Sequence, residues 1–304
     1  LSDAERSVTY ADRSGDASMR VITCTKHADA LQQSGRRSEA ESLFREAEQM
    51  QAEDQPAYPL LYSLRGFQYC DLLLAPAERE VWRRGLELRV EGRGQEDSTD
   101  LSLDSRPSSL DLAKACRDVT DRATQTLKWA EQNNVAILDI ALNHLTLSHA
   151  ALYESLLSGS EISDSASPIF HQSSEIEAAV SGLRRAGQQI MLPHALLTRA
   201  WQRSLLGRTT GPDSAQSDLD EAWEIASRGP MPLFMADIHL HRARLFGPLT
   251  QPLPRGGEEQ VEYPWESVKH DLSEARRLIE KHGYGRRTEE LEDAEAALLP
   301  QKSE

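Results

Sequence analysis

The chemistry-capable residues of this chain are its cysteines, histidines, lysines and a few aromatic–arginine clusters, and their spacing rules out most catalytic designs. The six lysines, Lys26, Lys114, Lys128, Lys269, Lys281 and Lys302, never follow glycine, so no GxxxxGK[ST] loop is present to cradle a nucleotide phosphate. Neither HExxH nor GxSxG occurs, which removes the common zinc-hydrolase and serine-hydrolase signatures. His239 and His241 are two residues apart, which on a helix turns them about 200° from each other and away from a shared ion. Cys24, Cys70 and Cys116 include no CxxC pair; Cys70 and Cys116 read as small core residues, and the sparse odd set fits a reduced, cytoplasmic setting. The sequence therefore implies no catalytic residue, no metal site and no cofactor. What remains is interface chemistry: Trp201, Asp237, His241 and Arg244 combine the aromatic and guanidinium groups that concentrate binding energy at protein contacts.

These residues must be positioned by helices. No stretch alternates with period two, whereas apolar residues recur at helical spacing along most of the 304 residues. The composition is 39% hydrophobic and only 6% aromatic, so packing has to rest on Leu and Ala. The formal net charge is −15, which disfavours general binding to nucleic acid or anionic membranes. No apolar run approaches the ~20 residues of a membrane span, and no signal peptide is legible.

The segment 190–247 reveals a near-repeat. Ile190-Met191-Leu192-Pro193 leads into a run ending Leu205-Leu206-Gly207, and Pro230-Met231-Pro232-Leu233 leads into one ending Leu245-Phe246-Gly247. Between them lies the helix-forming run from Asp218 to Ala226, closed by Gly229, with an echo at Asp271-Leu272-Ser273-Glu274-Ala275. Helix pairs recurring at about this period predict a solenoid. The expected fold is all-α: a right-handed superhelical array of tetratricopeptide-like helix pairs with no β-sheet.

In chain order, residues 1–15 read as the second helix of a repeat whose first helix lies upstream, so the array is expected to continue before Leu1. Setting Val21 as position 1 of a 34-residue repeat puts Ala28, Ala40, Phe44 and Ala47 on its three small places and its aromatic one. Small residues let paired helices approach, and the aromatic fills the space beside them. Helices are then expected at 58–74, 75–91 (with Pro76 in its first turn), 110–133, 135–158, 173–189, 193–206, 213–228, 232–246, 265–282 and 286–299. Residues 92–109 read as a mobile loop, 159–172 as a second polar loop and 247–264 as a Pro/Gly-rich insertion. The organisation expected is repeats at 1–91, the loop at 92–109, central repeats at 110–246, the insertion at 247–264, and a final half-repeat with a solvated, acidic capping helix at 265–304. Asn133 and Asn134 are expected to make one turn, and Trp223 and Trp265 to be structural.

In a tetratricopeptide stack, set positions of each first helix line a concave groove. With Gly207, Gly247 and Gly159 as equivalent turn glycines, those positions include His194, Leu197 and Trp201, then Phe234, Asp237, His241 and Arg244, and also His149 and Tyr153. Helical spacing does not separate a groove-facing Trp201 from a core one.

Several phrases go further: Leu61-Tyr62-Ser63-Leu64-Arg65-Gly66-Phe67-Gln68-Tyr69-Cys70-Asp71, Thr126-Leu127-Lys128-Trp129-Ala130-Glu131-Gln132-Asn133, Gly182-Leu183-Arg184-Arg185-Ala186-Gly187, Ala222-Trp223-Glu224-Ile225-Ala226 and Lys281-His282-Gly283-Tyr284-Gly285. Together they resemble the C-terminal tetratricopeptide region of bacterial STAND-type NTPases, relatives of the NACHT and NB-ARC immune receptors. The resemblance implies a sensor arm. An upstream NTPase and effector would belong to the same full-length chain, and a trigger protein, of phage origin in several members, would bind the groove. A free-standing adaptor that binds a peptide or small effector is the alternative reading.

Overall fold

The computed structural model describes residues 2–91, 107–133, 136–159, 168–247 and 262–299. Among these residues every regular element is helical: α1 (Ser2–Ser14), α2 (Ala17–Gln33), α3 (Arg37–Asp54), α4 (Ser63–Glu91), α5 (Ser109–Gln132), α6 (Ile137–Leu157), α7 (Pro168–Arg185), α8 (Leu192–Leu205), α9 (Ala215–Arg228), α10 (Pro232–Phe246), α11 (Val268–His282) and α12 (Thr288–Leu298). A 3-10 turn, Gly285–Arg287, precedes α12. No helix among the described residues is long and apolar enough to cross a membrane. Most of the loop expected at 92–109, of the loop at 159–172 and of the insertion at 247–264 lies outside the described residues, as does Asn134.

Helix ends follow local chemistry. Asp16, Ser108, Ser214 and Ser267 each accept from a backbone amide one turn on, capping α2, α5, α9 and α11. Pro193 and Pro232 sit in the first turns of α8 and α10, where a missing amide is harmless. Gly207 closes α8 with φ 75°, but Gly247 closes α10 with φ −55° in the right-handed region. The two glycines are thus not conformationally equivalent, contrary to the register taken from their spacing.

Consecutive helices pack against each other, notably α2 on α3, α5 on α6, α6 on α7, α8 on α9 and α10 on α11. In the first of these pairs Ala28, Ala40, Phe44 and Ala47 are wholly buried, and the Phe44 ring stacks on Tyr69 of α4 at 5.1 Å. Between α6 and α7, a Cβ on Gly182 would lie 2.7 Å from that of Ala141, so glycine sets how closely these helices approach.

Two departures decide the architecture. The segments 58–74 and 75–91 are not a helix pair: Ser63–Glu91 is one helix with Pro76 inside it. An internal proline forfeits a backbone bond and costs about 3 kcal/mol. Burial of Phe67, Leu72, Leu74, Ala77, Val81 and Trp82 along the same helix offsets that cost. The second departure is that the end of the chain returns to its beginning. The 3-10 turn packs on α2 and α12 packs on α4, joining residues more than 200 positions apart. At that contact a Cβ on Gly35 would lie 3.0 Å from the carbonyl carbon of Gly285, so both backbones approach without side chains.

Candidate functional site

Helix α4 packs on α6 and reaches α8 and α10 through the rings of Phe67 and Trp82, and several of the residues expected to line an open groove meet it there. His149, Tyr153, Leu197, Trp201, Asp237, His241 and Arg244 are buried, while His194 and Phe234 are half-buried. Where they meet α4, the space is filled. Trp82 of α4 stacks on Trp201 with ring centroids 3.7 Å apart, and His241 meets Trp82 edge-on at 5.3 Å. Tyr153 lies 5.7 Å from Trp201 and 5.9 Å from His149. Phe67, one end of the same helix, contacts His149 and His194, and His194 in turn meets Phe234 at 4.6 Å. Leu197 joins the surrounding apolar core. The physical reason is burial: α4 offers aromatic and aliphatic groups that would otherwise face water, and the inner face is the surface large enough to cover them.

A charged cluster closes the same space. Arg244 lies over the Trp82 ring at 4.9 Å and donates to Glu290 through its carboxylate and its backbone carbonyl, both at 2.9 Å. Arg287 donates to Asp237 at 2.9 Å, to Glu78 at 2.9 Å and to Glu290 at 2.5 Å. Arg286 forks onto Asp71 and reaches Glu78 at 3.3 Å. Tyr284 donates its hydroxyl to Asp237 at 3.0 Å. Three guanidinium groups therefore meet four carboxylates in a largely buried cluster. Burial opposes ionisation of Asp71, but Arg286 outweighs it and holds that carboxyl well below the usual carboxylate range. The Nε atoms of Arg244 and Arg286 and the Trp82 indole nitrogen have no partner among the described residues, so the cluster is not fully satisfied.

Burial disfavours the charged form of three imidazoles, those of His149, His194 and His241. Burial pushes His149 down to about 3 and His241 down to about 4, with Arg244 adding to the latter, and it lowers His194. Thr198 gives its proton to the His194 carbonyl, so His149 donates to Thr198 through Nε2, at 2.6 Å. His241 donates through Nδ1 to the Asp237 carbonyl at 2.8 Å. His239 turns instead to Asp271 at 2.6 Å, as the two-residue spacing requires. Burial raises the Cys70 thiol to about 11 and Cys116 to about 12, so both stay protonated and unreactive at neutral pH. No group of three metal-ligating side chains occurs among the described residues.

Above this cluster a cleft of about 690 Å³ opens between α4, the start of α5, the 3-10 turn and α12. Arg286 and Glu290 form part of its floor; Arg37, Arg79, Arg83, Glu80, Glu289 and Asp293 stand around it. Arg79 holds Asp293 at 2.8 Å and pairs with Glu289, and Arg83 pairs with Glu80 at 2.9 Å. The final helix is therefore no solvated cap: Glu290 is 4% exposed, and Leu291, Ala294 and Leu298 are buried beside it. Helical periodicity could not place Arg286 or Arg287. The signal that existed was Asp71 and Glu78, two turns apart and flanking the apolar run Leu72-Leu73-Leu74-Ala75-Pro76-Ala77, where a carboxylate calls for a cationic partner. Trp223 and Trp265 are half-buried, with Arg242 lying over both rings at 4.9 and 4.5 Å.

No protein-family model, curated protein or solved structure matches this chain.

Proposed function

We propose that this chain is a non-catalytic protein-recognition array of tetratricopeptide-like helix pairs, the sensor region of a bacterial STAND NTPase. Its trigger protein docks in the cleft between α4 and α12 and not on the inner faces of α6, α8 and α10. The cleft carries this reading: it is the large concavity whose rim charges, Arg79 with Glu289 and Asp293, tie early and late parts of the chain together. A charged partner segment that competes for Arg79 would loosen the contact between α4 and α12, coupling recognition to a change in shape. The packing of consecutive helices and the burial of Ala28, Ala40, Phe44 and Ala47 support the repeat reading. The sequence phrases support the receptor class.

The test is affinity capture with the full chain from phage-infected and uninfected cells, repeated with Arg79→Glu. The reading expects a partner specific to infection that Arg79→Glu loses while its melting temperature stays close to the parent's. Recovery of the same partner by both chains removes the cleft from the site, and absence of any infection-specific partner removes the sensor role. Substituting Trp201, His241 or Arg244 would test the core and not a binding surface, because all three are buried.

A further inference from the structure

A second concavity lies away from the cleft, where the segment between α3 and α4 crosses the end of α5 and the start of α6. It measures about 260 Å³, below the ~300–1,000 Å³ typical of pockets for drug-sized ligands, so it suits a headgroup or one side chain. Three aromatic rings wall it. Tyr58 meets Trp129 edge-on at 5.3 Å with planes at 87°, and meets Tyr62 at 6.4 Å with planes at 63°. Rings set at steep angles to one another present faces to a common volume in a way that stacked rings cannot.

Much of the polar lining is already paired within the protein. All four hydroxyl groups have their proton engaged inside the protein: Tyr58 donates to Asn133, Tyr62 to Gln55, Ser63 to Asp139, and Thr126 within its own helix or to Asn143. The amides of Asn133 and Asn143 donate to the Trp129 and Asp139 carbonyls. Asp139, which takes the Ser63 proton on one carboxyl oxygen, lines the cavity together with the three aromatic rings. Aromatic faces and a carboxylate favour a cation, and a cation with few protons to donate suits a site whose walls are mostly carbon. Arg65, which does not line the cavity, lies over Tyr62 at 5.4 Å, so this ring makes one cation–π contact within the protein.

We infer that Tyr58, Tyr62, Trp129 and Asp139 form a binding site for a methylated ammonium group. The group could belong to a free choline-like molecule or to a methylated lysine of a protein. This site is separate from the cleft and its occupancy does not depend on a trigger protein. A chain that captures no partner would still bind choline.

Isothermal titration of the full chain tests it with three probes: choline, its neutral carbon analogue bearing a tert-butyl group, and a short peptide carrying trimethyl-lysine. Choline should bind at least about tenfold tighter than the neutral analogue, because only the charge distinguishes them. Asp139→Asn, which retains the acceptor for Ser63, and Trp129→Phe should each weaken choline by about tenfold without changing the circular-dichroism melt. Tighter binding of the peptide than of choline assigns the site to a protein tail, and equal or weaker binding assigns it to a free ammonium compound. Equal affinity for choline and the neutral analogue, undiminished choline binding in both variants, or no binding of either cation overturns the proposal.

Discussion

The α2–α3 pair and the centre around α4 are both fully packed, yet they are held by opposite means. In the pair, the buried hydrophobic positions are Val21, Cys24, Ala28, Leu31, Ala40, Phe44 and Ala47, all within one short stretch of chain, and the polar residues buried beside them, Thr23, Thr25, Gln32 and Gln51, carry no charge. At the centre, Glu78, Asp237, Arg244, Arg287 and Glu290 are buried with Trp82 and Trp201, and the half-buried Asp71 and Arg286 pair beside them. Apolar close packing is non-directional and tolerates local assembly; buried charge is stable only when every partner is present at once. The pair is thus a local unit, and the centre is a joint that exists only when the two ends of the chain have met.

The sharpest break in that contrast is Arg287→Ala. It leaves the buried Asp237, Glu78 and Glu290 short of a cation, and should cost roughly 3–5 kcal/mol in chemical denaturation. A cost under about 1 kcal/mol would mean that the cluster is hydrated and not a joint.

Acid should act next, and selectively. The folded pKa of His149 (about 3) and of His241 (about 4) lie below the ordinary value of 6.5. The unfolded chain therefore binds more protons between those values, and the stability that neutral imidazoles provide is complete above pH 6.5 and is lost as pH falls. The melting temperature should drop by several degrees from pH 7 to pH 5, and His149→Gln should flatten that slope. An unchanged slope in the variant would place the acid sensitivity elsewhere.

In the α2–α3 pair, Ala28→Leu overfills a wholly buried position and should cost about 1–3 kcal/mol. Its effect should be the same at low and high salt, because no charge is involved; a clear salt dependence would erase the distinction between the two regions. The smallest effect belongs to Arg79→Ala at the cleft rim. Arg79 is part-exposed, and its loss should cost about 0.2–1 kcal/mol, diminishing in high salt.

The helices themselves were legible because their determinants are local. Ser108, Ser214 and Ser267 cap the helices that follow them, and Gly35 and Gly207 turn the chain at φ 85° and 75°. The interior of the first pair was legible too, since Ala28, Ala40, Phe44 and Ala47 stand at fixed offsets. Pro76 misled, because a proline reads as a helix start wherever local preference decides, and here burial along α4 outweighs it. The nine residues assigned to a groove were chosen by helical spacing, and spacing cannot say what covers a face. In this structure α4 covers it.

By itself, then, the sequence determined the all-helical class and the approximate positions of most helices. These follow from capping, glycine turns and 3.6-residue periodicity, all of which act within a few residues. Only the tertiary structure decided that α4 packs on α6 and reaches α8 and α10, that Arg286 and Arg287 enter the interior beside Asp71 and Glu78, and that the open concavities lie at α4–α12 and at Tyr58–Trp129. The reason is separation along the chain. Charge pairing between residues more than 200 positions apart leaves no periodic trace in either segment, and it becomes favourable only after folding has removed the water between them.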